Sequence, residues 1–389
     1  MDKEYILKHK NIPVMSFKLN DDFELSEITE IYDEMRLPFG SKYREKKEAQ
    51  FKQFSDWIEN RGLPRSRSDL VNIEHDLNVK NSIELAFGSY ALNLTDHYWA
   101  HKLNIDIKWD DVNFFENDFN EVIDFDVLGV YGEKNKVYVA PDLTVDGSLR
   151  KKWIISGNIR CLLKGSHYDE MQEPFNEVIA SEIMKLFGIE HVEYGLVRNK
   201  SNNMPLSVCN CMVDKDTEYI TAQFVKDTEL KENRNEYDRF IQICEKNGIK
   251  NVKEKINDMI IIDYIIGNTD RHTGNFGIIR DADTLEWKKI APVFDSGNSL
   301  CHNTNKIENI ENNVNSLCRW FEGGNYAKLD YVNFPAWYSK EKYKNIGELI
   351  YNNLSNNEKI SEDKKNKLVS IVYLRMNELD IILNNKKNI

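Results

Sequence analysis

The chain has 389 residues, with 52 Lys+Arg against 64 Asp+Glu and a formal net charge of −12. Its 41% apolar and 30% charged residues exclude a disordered chain, and the length leaves room for two or three folding units. The acidic balance argues against a broad nucleic-acid-binding surface, six cysteines do not make a disulfide framework in so long a chain, and no apolar run is long enough to span a membrane.

The opening MDKEYILKHKN lacks the apolar segment of a signal peptide, so a cytoplasmic protein is expected. The first hundred residues predict a mostly helical unit after a short strand at Val14–Leu19. Phe51, Phe54, Trp57 and Ile58 recur at helical spacing over Lys46–Arg61, and Gly62 and Pro64 end that helix. Shorter helices are predicted at Ser68–Leu77 and Ser82–Ala91, whereas Leu94–Trp99 is rich in aromatics without a periodic face. Carboxylates accumulate from Asp106 to Asp126 without the glycine and ligand spacing of a calcium loop, which reads as a solvated connector.

From about residue 127 the texture changes to strands and turns, with strands predicted at Val137–Ala140, Lys152–Ser156, Arg160–Leu163 and Glu193–Val197. One helix interrupts them, opened by Pro174 and closed by Gly188. Cys209 and Cys211 form a C-x-C pair too sparse for a metal site and read as buried thiols. Past residue 230 the pattern is helical to a last helix capped by Ser361. The division is a mostly helical extension with an acidic connector (1–126), a strand-rich unit (127–228) and a helical unit (229–389).

Chemistry concentrates in Asp263–Leu300. An apolar helix breaks at Gly267, polar residues crowd together through Asn275, and the apolar strand residues Ile290, Val293 and Phe294 deliver Asp295 into Ser296-Gly297. Phosphoryl transfer needs a carboxylate at the attacking hydroxyl, oxygen ligands for Mg²⁺ and a cation for the phosphates. Asp270 and Asn275, five residues apart on one tight loop, supply a carboxylate and an amide oxygen at the spacing of a kinase catalytic loop. Asp295 is placed to be the anionic metal ligand. His272 is expected to brace the loop and Arg271 to meet the acceptor or a phosphate.

The strand-rich unit then has to hold the nucleotide. Lys164, ending the apolar run Cys161-Leu162-Leu163, is placed to reach phosphates, although position alone equally suits an edge lysine. Thr144-Val145-Asp146-Gly147-Ser148 can cover phosphates through backbone N–H groups. Glu177 and Glu182 both qualify to orient the lysine, and the helical wheel sets Glu182 nearer the apolar side, so periodicity does not choose Glu177. Gln223-Phe224-Val225 is the expected hinge for adenine.

These elements resemble the HipA-like serine/threonine kinases. The loop Asn268-Thr269-Asp270-Arg271-His272-Thr273-Gly274-Asn275-Phe276 is similar to that family's catalytic loop, Pro292-Val293-Phe294-Asp295 to its metal-binding segment, and Gly147-Ser148-Leu149-Arg150-Lys151 to its flexible loop over ATP. The resemblance implies an α+β, two-lobed fold like that of protein kinases and phosphoinositide kinases, with a strand-rich N-lobe and a helical C-lobe. It implies ATP and Mg²⁺ as cofactors, Asp270 as catalytic aspartate, Asn275 and Asp295 as Mg²⁺ ligands and Lys164 as the ATP-binding lysine. It favours Glu177 over Glu182 and places Gly147, Ser148 and Lys151 at the nucleotide, with Ser148 matching a self-phosphorylated serine. It further implies a protein substrate such as an aminoacyl-tRNA synthetase and an antitoxin partner, without direct nucleic-acid or membrane contact. A small-molecule or lipid kinase, and a nucleotide-binding pseudokinase or scaffold, are the competing readings.

Overall fold

The computed structural model describes residues 2–39, 47–67, 69–120, 122, 139–228, 235–304, 329, 332–333, 335, 337–339 and 343–387. The first half of the Val137–Ala140 strand expectation, the end of the acidic connector and the first expected unit boundary lie outside the described residues, and Val139 and Ala140 are not in a strand.

The extension is built on a sheet as well as on helices, which corrects the mostly helical expectation. Strands β1 (Lys3–His9), β2 (Ile12–Leu19), β3 (Leu25–Ile31) and β4 (Tyr98–Lys102) form an antiparallel sheet in the order β3-β2-β1-β4. In β1, Tyr5, Leu7 and His9 alternate inward, the period-two pattern of a half-buried strand. Helices α1 (Lys47–Glu59), α2 (Leu70–Leu77) and α3 (Ser82–Gly88) accompany the sheet, with Phe54 of α1 and Phe87 of α3 packed against Phe17 and Trp57 stacked on Phe54. A short α4 (Trp109–Val112) follows.

A second antiparallel sheet, ordered β5-β6-β8-β7, comprises β5 (Lys151–Ser156), β6 (Ile159–Lys164), β7 (Tyr194–Arg198) and β8 (Pro205–Asn210). Helix α5 (Glu173–Phe187) contacts β7 and β8 of this sheet. Strand β9 (Thr217–Thr221), expected with the strand-rich unit, pairs instead with β10 (Gly277–Asp281), which also pairs with β11 (Trp287–Ile290). The chain therefore passes between sheets within residues 211–216. Helices α6 (Ala222–Lys226), α7 (Glu236–Lys246), α8 (Val252–Ile266), α9 (Ile346–Ser355) and α10 (Glu362–Lys387) complete the described elements. Ile179, Phe240, Ile261, Ile350 and Leu379 share one core joining α5 to α7, α8, α9 and α10.

The extension is locked to the β9–β11 sheet by buried charge. Glu218 of β9 accepts from Arg280 of β10 and lies 3.2 Å from His9 Nε2. Arg36 lies 3.0 Å from the other His9 nitrogen, Nδ1, and donates to the carbonyls of Ala282 (3.3 Å) and Asp283 (2.6 Å). A guanidinium can only donate, so Nδ1 accepts and the imidazole proton sits on Nε2, donated to Glu218. Burial pushes the Glu218 carboxyl up, but Arg280 and His9 outweigh it and hold the group well below the usual carboxylate range. Burial lowers the His9 imidazole from its ordinary value near 6.5.

Two consequences are measurable. Arg280→Met leaves Glu218 buried without its cation and should cost about 3–5 kcal/mol in chemical denaturation, the usual loss on removing one partner of a buried pair. A depressed His9 contributes stability that is present above about 6.5 and lost as pH falls below it, because the unfolded chain binds the proton more readily. Urea midpoints measured from pH 7.5 to 5 should fall, and His9→Gln should flatten the upper part of that decline.

Candidate active site

Three elements meet at one buried ammonium. Lys164 at the end of β6 donates to Glu177 of α5 and to Asp295 in the loop after β11. The second Glu177 oxygen accepts the Ser296 backbone N–H at 2.9 Å, so the same carboxylate fixes the residue after Asp295. Asn176, one position earlier on α5, donates to the carbonyls of Gly297 (2.9 Å) and Ser299 (2.8 Å). Burial disfavours the Lys164 ammonium, but Asp295 and Glu177 outweigh that and hold it charged, well above the ordinary lysine range. Burial likewise acts to raise Asp295, and Lys164 with Lys151 reverses the effect and holds it low. The Glu177 carboxyl is raised, by burial first, against the pull of Lys164. Glu182 is exposed and accepts from Asn353 at 2.7 Å, so the geometry reverses the helical wheel, which sets Glu182 nearer the apolar side.

Asp295 has a φ of +57°, in the left-handed region that few residues other than glycine adopt. Aspartate is among the residues that tolerate it. Its N–H donates to the Tyr194 hydroxyl at 3.3 Å, and the Tyr194 ring centroid lies 5.4 Å from the Lys164 ammonium.

The loop after α8 starts at Gly267, whose φ is +63° and where a Cβ would lie 1.9 Å from the Arg375 guanidinium. Only glycine satisfies both conditions. Asn268 donates to Asp263 at 2.9 Å and accepts the Asp270 N–H at 3.0 Å. Asn275 donates its amide to the Asp270 carbonyl at 3.0 Å. The Asp270 side chain is exposed, with Oδ2 accepting from Asn298 at 2.7 Å.

Arg271 departs from expectation. It is fully buried, forks onto both oxygens of Asp263 (2.9 and 3.0 Å), and donates to the carbonyls of Asn275 (3.0 Å) and Phe294. It is therefore the brace of the loop and does not face an acceptor or a phosphate. His272, expected to brace the loop, is exposed at the cavity, and its Nδ1 accepts the Gly274 N–H within the loop at 3.1 Å.

A cavity of about 710 Å³ is lined by Asp270, Asn275, Asp295, Lys151, Ser148 and Met212, among others. That volume suits a nucleotide-sized ligand. Lys164 and Glu177 are almost wholly buried, whereas the Asp295 side chain is 25% exposed. Lys151 lies on the cavity wall and donates to the Asp146 carbonyl at 2.8 Å, and burial lowers its ammonium despite Asp295. Gly147, with φ +102°, packs so closely on that ammonium that a side chain there would collide with it. Ser148 is exposed. Asp295 and Asn275 are oxygen donors on one wall, the hard ligand set that suits Mg²⁺.

Gln223-Phe224-Val225, the expected hinge, lie in α6, where Gln223 N–H is taken by the Thr273 carbonyl (3.2 Å) and Phe224 N–H by Thr221 Oγ1 (3.4 Å), and Val225 is fully buried. Gln223 and Phe224 line the cavity, as do Cys211, Met212 and Val213, which join β8 to β9. Asp263 and Asn298 were not singled out by sequence. Both are polar residues beside the Gly267 and Gly297 breaks, and that placement was the available signal.

His9, His97 and Glu218 converge within ligand distance of one another. The adjacent Arg36 and Arg280, and a proton on His9 Nε2, make this a hydrogen-bonded lock rather than a cation site.

The family model of the HipA-like C-terminal domain matches residues 129–346. A serine/threonine-protein kinase of Helicobacter pylori, CtkA, is 36% identical over 62 residues, 15% of this chain and 19% of that protein. The chain thus aligns with about a fifth of that relative's length. The structure of HipA from Shewanella oneidensis, solved with HipB and operator DNA of a toxin–antitoxin system, aligns over 98% of this chain and 99% of that one, at 11% identity and a TM-score of 0.54. The structure of the H. pylori proinflammatory kinase CtkA aligns over 60% of this chain and 93% of that one, at 18% identity and a TM-score of 0.46. Among the described residues no helix is long and apolar enough to cross a membrane.

The exchanged roles of Arg271 and His272 are testable by denaturation. Arg271→Ala should cost about 3–5 kcal/mol by stranding the Asp263 carboxylate. His272→Ala should stay within about 0.5 kcal/mol of wild type, as exposed substitutions do.

Proposed function

The chain belongs to the HipA-like C-terminal domain family, and from that premise we propose that it is an ATP- and Mg²⁺-dependent serine/threonine kinase acting on a protein hydroxyl. The observation that carries this reading is the Lys164–Glu177–Asp295 cluster, whose Asp295 lines one nucleotide-sized cavity together with Asp270 and Asn275.

Each residue has a part that follows from its position. Asp270 is exposed and held through one oxygen by Asn298, leaving the carboxylate to orient an acceptor hydroxyl and take its proton. Asp295 and Asn275 are the residues that would hold Mg²⁺. That ion, when bound, neutralises phosphate charge. Lys164 keeps Asp295 ionised and supplies positive charge at the phosphate end, with Lys151 on the cavity wall beside it. Glu177 holds Lys164 and the Ser296 N–H together, so the cation and the metal ligand share one anchor. Arg271 acts through the backbone, bridging the carbonyls of Asn275 and Phe294.

Exposed Ser148 sits one residue after Gly147 on the cavity rim and is our proposed site of self-phosphorylation. A phosphate there adds about −1.5 to −2 charges beside those of ATP, which disfavours nucleotide binding. A protein acceptor in the translation machinery and an antitoxin partner belong to the same proposal. Their support is family membership alone.

Purified protein incubated with γ-labelled Mg-ATP should transfer label, and Asp270→Asn or Asp295→Asn should reduce transfer at least about a hundredfold while remaining folded. Undiminished transfer in either variant would falsify the assignment. Intact-mass analysis of the same reaction should show one added phosphate, absent in Ser148→Ala.

A further inference from the structure

The cavity is not walled by the second and third sheets alone. Asn93, Leu94, Thr95 and Asp96, between α3 and β4 of the extension, line it together with Asp295 and Asp270. This short strap makes a bond to each part of the site. Asn93 Nδ2 donates to the Thr144 carbonyl at 2.8 Å, and Thr144 Oγ1 donates back to the Leu92 carbonyl at 2.7 Å. Thr144 is three residues before Gly147, at the root of the loop that carries Ser148. At the other end the Thr95 carbonyl accepts the Tyr219 N–H of β9 at 2.8 Å, and the Leu94 carbonyl lies 3.3 Å from Cys211 Sγ.

The strap is itself held rigid. Asn93 Oδ1 accepts from Thr95 N–H (3.0 Å) and Thr95 Oγ1 (3.1 Å). Asp96 accepts twice from Arg61 at 2.7 Å and caps the Tyr98 N–H at 3.0 Å, and the Arg61 guanidinium lies 4.3 Å from the Trp57 ring centroid. Arg61 and Trp57 line the same cavity.

We infer that the extension is part of the nucleotide site, with Asn93 and Thr144 as positioning residues: the strap ties the root of the phosphate-covering loop to the residue 211–216 passage and to β9, and so sets the width of the cleft. This rests on the nucleotide-binding reading above. An appended module would touch one lobe, whereas this segment hydrogen-bonds to the N-lobe loop root and to the C-lobe sheet within three residues. Because neither residue touches the reacting atoms, loosening the strap weakens nucleotide binding and spares the chemical step.

The test compares Mg-ATP kinetics of the full-length wild type with Asn93→Ala, Asn93→Asp and Thr144→Val. Aspartate keeps the size of Asn93 and removes its donor. Asn93→Asp and Thr144→Val each lose one donated hydrogen bond, and Asn93→Ala also loses the two that Oδ1 accepts from Thr95. KM for Mg-ATP should therefore rise about five- to tenfold in the first two and at least as much in the third, with kcat within about twofold. Thermal melts without nucleotide serve as the folding control, and Mg-ATP should raise the melting temperature of wild type more than that of the variants. A purely structural role would lower the unliganded melting temperature and leave KM alone. KM unchanged in the folded variants, with a wild type that saturates normally, overturns the strap and leaves the kinase reading standing. A wild type without saturable Mg-ATP dependence overturns the kinase reading and the strap with it. Should Asn93→Ala unfold, Asn93→Asp and Thr144→Val decide at the two ends of the same contact.

Discussion

A lysine ammonium removed from water has to find anions, and Lys164 finds two on different parts of the chain. Glu177 comes from the helix against the second sheet and Asp295 from the loop that follows the third. Satisfying one charge therefore fixes three backbones relative to one another. The Ser296 N–H on the second Glu177 oxygen closes the arrangement and helps hold Asp295 in its left-handed conformation. Removing Lys164 strands both carboxylates, whereas removing either carboxylate leaves the lysine with the other, so the cluster is coupled through its cation.

The polar loop after α8 depends on a second buried pair, Asp263 with Arg271. Its guanidinium also takes the Asn275 and Phe294 carbonyls, tying the segment of Asp270 to the segment of Asp295. Bidentate Arg–carboxylate geometry is directional enough to set a loop conformation as well as neutralise charge. Exposed Asp270 is thus carried on a loop braced from beneath by Asp263 and Arg271, which are both buried. The family's membership and the shared cavity give this geometry its chemical reading.

Much of this was legible in the chain. Local patterns marked α5 with Pro174 and Gly188 and the last helix with Ser361, and the crowding of Asn268, Asp270 and Asn275 marked the site. The helical wheel points to Glu182 rather than Glu177 because α5 is buried on nearly all sides, so its wheel has no single inner face. Arg271 was misread because a cation in a polar loop looks solvent-facing until the Asp263 carboxylate is known to lie beside it. An apolar stretch after a strand does not reveal where the chain changes sheets, which happens within residues 211–216. That depends on the β9–β10 pairing, a contact between segments some sixty residues apart that no local pattern encodes. The Tyr5, Leu7, His9 alternation of β1 was a readable strand signal, overshadowed by the helical spacing that follows it.

The lock of His9, Arg36, Glu218 and Arg280 also bears on how the chain can be divided. A fragment starting near residue 127 matches the span of the family model, but it would lose the partners that cover Glu218 and Arg280. Those groups would keep each other and meet water where His9 and Tyr98 now pack, and β9 would lose the Thr95 carbonyl that accepts the Tyr219 N–H. Homology thus marks a boundary that hydrogen bonding does not respect. In this chain the smallest unit with a complete cleft begins in the first strand.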